Sequence, residues 1–250
     1  MPRLLLRTSD GKPPGEVDGN YLIDRLVGAE IRTINPDQWK DRNALMAGWA
    51  NECTQRGETP YIIPEGGSNA LGAVGYVEMV RELSEQMIAM GRPFPDPDDR
   101  SVDYLVHATG SAGTTAGLAL GAELLGHGVM PVGFAVCDDE GYFRGRIQAI
   151  ASEFEQRFDA RGIAARLKYL VIDRYKGVGY ALSTPEELAF IQEVARTEGL
   201  LLDPVYTGKA FFGMVEELRQ GKTFRRGSTV VFVHTGGIFG LFPKRLEFAW

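Results

Sequence analysis

The chain has 250 residues, 44% of them apolar and 24% charged, which suits an ordinary globular protein of one large domain or two small ones. Its formal net charge of −6 argues against a nucleic-acid surface and against an anionic membrane. Cys53 and Cys137 are the only cysteines, so there is no disulfide framework; with no apolar run long enough to span a bilayer, and MPRLLLR too short for a signal peptide, the expected location is cytoplasmic.

In chain order, Leu4 to Leu6 reads as a buried strand, and Tyr21 to Val27 as a short helix with Asn20 as its cap. Glu30 to Ile34 is a second strand, ended by Asn35-Pro36. From Asp37 a helical pattern puts Trp39, Met46, Trp49 and Cys53 on one face. Pro60 to Pro64 reads as a short strand. Glu65-Gly66-Gly67-Ser68-Asn69 then leads into a long helix to about Met90, with Leu71, Val74, Leu83 and Met87 inward. Arg92 to Arg100, proline-rich and acidic, reads as an exposed connection. Tyr104 to Ala108, Val129 to Val136, Leu167 to Ile172 and Thr229 to His234 are apolar strands. Asp138, Asp139 and Glu140 head a helix, where acid complements the dipole. Ser183-Thr-Pro-Glu186 is a capping box opening a helix to Glu198, and Thr207 to Gln220 is helical. Mostly continuous apolar strands alternating with helices mean an α/β fold with parallel sheets covered by helices on both faces.

The richest stretch is Asp103 to Gly121, DYLVHATGSAGTTAGLALG. A strand is followed by a run of Gly, Ser, Thr and Ala, and Leu118 opens the next helical pattern. Strand, glycine-rich turn and helix in that order make an anion site, with free N–H groups at the helix start. Gly110 and Gly113 allow close backbone approach, and Ser111, Thr114 and Thr115 offer hydroxyls. The glycine spacing is not the dinucleotide fingerprint, and no Gly-Lys-Ser/Thr follows as in a nucleotide P-loop. The loop therefore suits one small phosphate monoester; taken alone, it reads equally as a tight turn packed on its own sheet. Two further glycine turns, 66–69 and 235–237, fall near strand ends, where ligands of such sheets bind. Asp203-Pro-Val-Tyr-Thr207 precedes a helix start and joins the group. His107, His127 and His234 are scattered and offer no metal spacing with the two cysteines.

Four ordered segments carry a resemblance: YIIPEGGSNALGAVGYVE (61–78), ATGSAGTTAGLALG (108–121), EGLLLDPVYTGKA (198–210) and VVFVHTGG (230–237). Together they resemble the D-cysteine desulfhydrase and 1-aminocyclopropane-1-carboxylate deaminase family, pyridoxal-phosphate enzymes of the tryptophan-synthase-β fold type. The resemblance runs from about Leu5 to Gly237. It implies that Gly110, Ser111, Ala112, Gly113 and Thr114 hold the phosphate of pyridoxal 5'-phosphate. It implies that Tyr206 stands beside the cofactor ring with Tyr180 as a second active-site tyrosine, and that Thr235 supplies a hydroxyl near the pyridine nitrogen. Gly66-Gly67-Ser68-Asn69 resembles the phosphate loop of tryptophan synthase β itself, but in the matched family that segment starts the long helix, so the phosphate is expected at 110–114.

The family's Schiff-base lysine lies in a Gly-Gly-Asn-Lys type of motif, and none of Lys12, Lys40, Lys168, Lys176, Lys209, Lys222 and Lys244 has that context. The expectation is a two-lobed type-II pyridoxal-phosphate fold that is N-terminally incomplete, with residues 1–66 as the remainder of a small lobe and 67–250 as most of the cofactor lobe. The implied activity converts a small amino acid to a 2-oxo acid and ammonia, with sulfide released from D-cysteine, and the implied intact assembly is a homodimer. The chain as given is expected to form no reducible adduct with the cofactor; Lys209, beside Tyr206, is the one substitute to weigh. In the deaminase branch glutamate follows the Tyr206 position and leucine follows the His234 position; Thr207 and Thr235 stand there here and point to the desulfhydrase side. The alternatives are a deaminase-like enzyme, a non-catalytic remnant that binds a phosphate-bearing ligand or partner, and an unrelated nucleotide binder using 110–117.

Overall fold

The computed structural model describes residues 1–91 and 103–249, so the connection expected over 92–100 lies outside the described residues. The chain divides into two compact units. The first comprises Met1–Pro64 and Phe239–Arg245. In it β1 (Arg3–Arg7) and β2 (Glu30–Ile34) pair in parallel, Leu5 opposite Arg32, joined through α1 (Gly19–Leu26). The cap of α1 is Asp18 and not Asn20: the Asp18 carboxylate accepts from the Gly19 N–H at 2.7 Å and pairs with Arg245. In α2 (Arg42–Gln55) Trp49 and Cys53 are buried, and the Arg32 guanidinium lies 4.2 Å from the Trp49 ring centroid. Pro60 to Pro64 is not a strand. Tyr61, Ile62 and Ile63 are exposed and make no ladder pairing among the described residues, and the flanking prolines each remove a donor.

The second unit comprises the described residues between Glu65 and Ile238, with 246–249. Its sheet is parallel, in the order β5 (Leu170–Ile172), β4 (Met130–Ala135), β3 (Tyr104–Thr109), β6 (Val230–Phe232). Every residue of β3 is buried, as a strand with helices on both sides requires. On one face lie α3 (Ala70–Ala89), α4 (Gly113–Leu124) and α5 (Glu140–Phe158), with Leu120, Phe143, Ile147 and Ile150 in the core. On the other lies α7 (Thr207–Gln220), whose Ala210 and Met214 pack with Val106, Val132 and Phe134; α6 (Pro185–Glu198) packs against α7. Among the described residues no helix is long and apolar enough to cross a membrane.

Two boundaries and one helix face differ from expectation. Helix α4 begins at Gly113 and not at Leu118. Its glycines are there for contact: a Cβ on Gly117 would lie 2.6 Å from both the Ala73 carbonyl oxygen and Tyr76 Cβ, and one on Gly121 would lie 2.9 Å from Val80 Cγ2. The buried residues of α3 are Ala70, Ala73, Val80, Ser84 and Met87, with Val74 and Leu83 packed beside them as expected, while Leu71 is exposed. The capping box of α6 sits one residue later than expected, with Thr184 and Glu187 bonding each other's backbone N–H and Pro185 in the first turn.

Candidate active site

All four strands of the larger sheet run the same way, so the turns that follow them share one edge. After β3 comes the loop Gly110–Ala112. Among the described residues no acceptor takes the N–H of Ser111, Ala112, Gly113, Thr114 or Thr115; the first bond of the helix is Ala116 N–H to the Ala112 carbonyl at 2.9 Å. Ala112 has φ +74°, a region costly for a residue with a Cβ. A left-handed residue at the entry to a right-handed helix turns successive N–H groups toward one concavity. The competing turn behaves differently. The Ser68 and Asn69 N–H groups bond Glu65 and Gly67 carbonyls, that of Ala70 bonds Glu153 at 3.2 Å, and that of Gly72 bonds Asn69 at 2.8 Å. The two turns meet, Ser68 Oγ donating to Ser111 Oγ at 2.7 Å.

Gly110 and Gly113 make room for protein atoms. A Cβ on Gly110 would lie 2.7 Å from Tyr206 Cε1, and one on Gly113 would lie 2.6 Å from Ser68 Oγ. Thr115, expected to add a hydroxyl to the loop, faces the sheet instead: it is buried and lies 2.8 Å from His107 Nε2. His107 Nδ1 lies 3.3 Å from the Leu105 carbonyl, which can only accept, so Nδ1 carries the proton and Nε2 accepts from the Thr115 hydroxyl. Burial lowers the His107 pKa to about 4, which keeps the imidazole neutral.

The phenols come from two other segments. Tyr206, at the start of α7, lies 2.7 Å from Tyr180 hydroxyl to hydroxyl, their rings edge to face at 5.9 Å. Burial first, and the bond to Tyr180 second, raise the Tyr206 pKa far above the ordinary phenol value. Buried Asp203 fixes the backbone here, accepting the N–H groups of Val205, Tyr206 and Thr207 at 2.8, 2.9 and 2.8 Å. The Thr207 hydroxyl is spent on Asp203 as well, at 2.8 Å, and Thr207 is buried. Gly237, with φ +102°, packs on the Asp203 carboxylate, where a Cβ would lie 2.7 Å away. This brings the turn after β6 to the same place, with Thr235 exposed beside it. His234 holds that turn, donating to the Leu201 carbonyl at 3.1 Å and accepting from Gly236 N–H at 3.1 Å.

Comparison with known proteins decides the family. The family model described as "Pyridoxal-phosphate dependent enzyme" matches residues 8–236. The chain belongs to this pyridoxal-phosphate-dependent family. It is 39% identical over 246 residues to the Arabidopsis thaliana "Bifunctional D-cysteine desulfhydrase/1-aminocyclopropane-1-carboxylate deaminase, mitochondrial", covering 96% of this chain and 58% of that protein. The chain thus spans a little under three fifths of that relative's length. A crystal structure described as an ACC deaminase homologue superimposes with a TM-score of 0.74 at 32% identity, over 97% of this chain and 68% of the other. A hydrogen sulfide-producing enzyme from Fusobacterium nucleatum, at 15% identity and a TM-score of 0.53 over 94% of this chain and 70% of the other, shares the fold. The α/β, parallel-sheet, type-II reading of the sequence is the fold of this family.

The family's cofactor ends in a phosphate, and unclaimed N–H groups at a helix start suit that group. The expected phosphate residues 110–114 are contiguous, running from the loop into the first turn of α4, while Tyr206, Tyr180 and Thr235 arrive from separate segments. One neighbour was not foreseen. The Cys137 thiol follows β4 and reaches the Gly110 carbonyl at 3.6 Å; burial pushes its pKa up to about 11, so it is no nucleophile. Its place just past an apolar run at the binding edge was the available signal. Asp203 was visible as Asp-Pro-x-x-Thr before a helix, a capping pattern. Lys209 is buried, its ammonium donating to the Lys176 and Gly179 carbonyls, both at 2.7 Å.

Proposed function

We propose that this chain carries the phosphate cradle and the tyrosine acid of a pyridoxal-phosphate lyase of the D-cysteine desulfhydrase type. Its substrate is a small amino acid, and its products are a 2-oxo acid and ammonia, with sulfide released from D-cysteine. The observation that carries the reading is the contrast between the two glycine turns: the 66–72 backbone is largely committed internally, whereas 111–115 presents unclaimed N–H groups next to the Tyr180–Tyr206 pair.

The residues then have these roles. Gly110, Ser111, Ala112, Gly113 and Thr114 hold the phosphate. Thr235 would offer the ring nitrogen a neutral hydroxyl and no carboxylate, so nothing there would hold a proton on it. Bound, the cofactor supplies an electron sink for the substrate's α-carbon. Tyr206 stays protonated at neutral pH because burial disfavours the phenolate; by its position its O–H is the donor that would face the departing sulfur. Tyr180, at 2.7 Å, returns a proton to it. Residues 1–66 would belong to the small lobe and 67–250 to the cofactor lobe of a cytosolic homodimer with no nucleic-acid partner.

The Thr207 and Thr235 positions favour sulfide release. Thr207 acts only through its cap with Asp203, since its hydroxyl is engaged there. The names of the similar proteins keep the deaminase as the second reading. Titration of the chain with pyridoxal phosphate, and with inorganic phosphate as competitor, tests the cradle. Gly113→Asp places a carboxylate at the loop and is expected to weaken binding by at least about a hundredfold, roughly 3 kcal/mol. Unchanged affinity in a folded Gly113→Asp variant would sink the reading; loss of binding on changing Ser68 or Asn69 alone would move the phosphate to the other turn.

A further inference from the structure

The irregular segment between β5 and α6 carries Tyr180, yet it has little apolar burial to hold it: Val178 is 69% exposed and Leu182 52%. Packing of that kind contributes little. Polar anchors act in its place. Gly179 and Leu182 form an isolated bridge, and the Ser183 hydroxyl donates to the Pro204 carbonyl at 3.2 Å. The strongest anchor is Lys209, 1% exposed, whose ammonium donates to the carbonyls of Lys176 and Gly179 on either side of Gly177-Val178. Buried Glu187 faces the same spot: a Cβ on Gly177 would lie 2.9 Å from Glu187 Oε1 and 3.4 Å from Lys209 Nζ. A buried ammonium persists only where oxygens replace its water, and bonds from a charged donor are the stronger kind.

Lys209 sits in the first turn of α7, three residues after Tyr206. One helix start therefore presents Tyr206 directly and, through Lys209, grips the loop that carries Tyr180. We infer that Lys209 is a positioning residue that sets the Tyr180 hydroxyl against that of Tyr206, and not a lysine that bonds the cofactor. An ammonium donating to two carbonyls has no lone pair to offer a carbonyl carbon. The inference rests on the lyase reading only for the importance of the pair; the tie between Lys209 and the loop stands apart from it.

The test uses the full chain labelled with 3-fluorotyrosine, with Tyr180→Phe and Tyr206→Phe to assign the two ¹⁹F resonances. In the parent, each substitution is expected to shift the other tyrosine's resonance. In Lys209→Met that mutual shift should vanish while the remaining tyrosine resonances stay in place; a folded Lys209→Met that keeps it overturns the inference. If Lys209→Met does not fold, acylation of the unmodified chain decides. Lys209 should react at least about tenfold more slowly than Lys40, as a group that reacts only through local opening must; Lys40 has a side chain 77% exposed. Equal rates, or a borohydride-fixed pyridoxyl adduct on Lys209, overturn the inference. Failure of the parent chain to bind pyridoxal phosphate counts against the lyase reading and leaves the fluorine result unaffected.

Discussion

The two sides of the candidate site are held by opposite means. On the amide side, α4 is pressed against α3 through Gly117 and Gly121, with backbone and Cβ atoms in contact and apolar side chains around them. On the phenol side, the backbone around Tyr206 hangs on one carboxylate and the loop of Tyr180 chiefly on one ammonium. Close packing of small residues tolerates no added atom, because interiors are as dense as crystals. Buried charges tolerate no lost partner, because an unpaired one faces the full desolvation cost. The amide side should therefore break on enlargement and the phenol side on deletion.

The largest effect is expected from Gly117→Val. Valine at this helical position would place its Cβ 2.6 Å from a carbonyl oxygen and from Tyr76 Cβ. Overpacking of this kind costs about 3 kcal/mol or more, read as a lower denaturant midpoint. Even Gly117→Ala should destabilise, although alanine gains about 1 kcal/mol in intrinsic helix propensity.

The next effect is a pH dependence that belongs to the amide side. The folded pKa of His107 is about 4, against an ordinary value of 6.5. Between those values the unfolded chain binds a proton that the folded chain refuses. Stability is thus fully present above about pH 6.5, falls as pH drops towards 4, and loses no more through this group below that. The total is at most about 3 kcal/mol. His107→Gln should flatten this part of the curve, and an unchanged slope would refute the assignment.

Deletion on the phenol side gives the smallest of the three. Asp203→Ala strands three N–H groups and the Thr207 hydroxyl, and part of that set can turn to water at the helix start. The expected loss is about 2 kcal/mol. Its sharper readout is the tyrosine pair, whose mutual ¹⁹F shift should weaken. An Asp203→Ala variant as stable as the parent would remove the contrast between the two sides.

The same contrast governs how much could be read from residues alone. The paired strands (though not the expected strand at 60–64), the helix Thr207–Gln220 and the candidate anion loop follow from apolar runs and glycine placement, which are local signals. Ser68, Ser111 and Gly113 fit one another only once two distant turns touch, and nothing in either turn announces the other. Thr115 reads as a loop hydroxyl until the helix starting at Gly113 turns it onto His107. Lys209 reads as a stand-in for the missing lysine motif, because its carbonyl partners lie some thirty residues away (33 and 30). Small residues packed in one helix leave a pattern in sequence; a buried charge bonded to a remote backbone leaves none.

Glu217, near the far end of α7, has consequences for motion. Its buried carboxylate accepts from Arg174, Tyr175 and Thr223, while Lys209, two turns earlier, grips Lys176 and Gly179. The segment that delivers Tyr180 is thereby splinted to one helix at two points about 12 Å apart along its axis. A segment fastened twice to a rigid rod has no hinge of its own. If the site opens to admit a substrate, Tyr180 and Tyr206 travel with α7 as one body, their hydroxyls still facing each other, and the hinge lies outside residues 174–180.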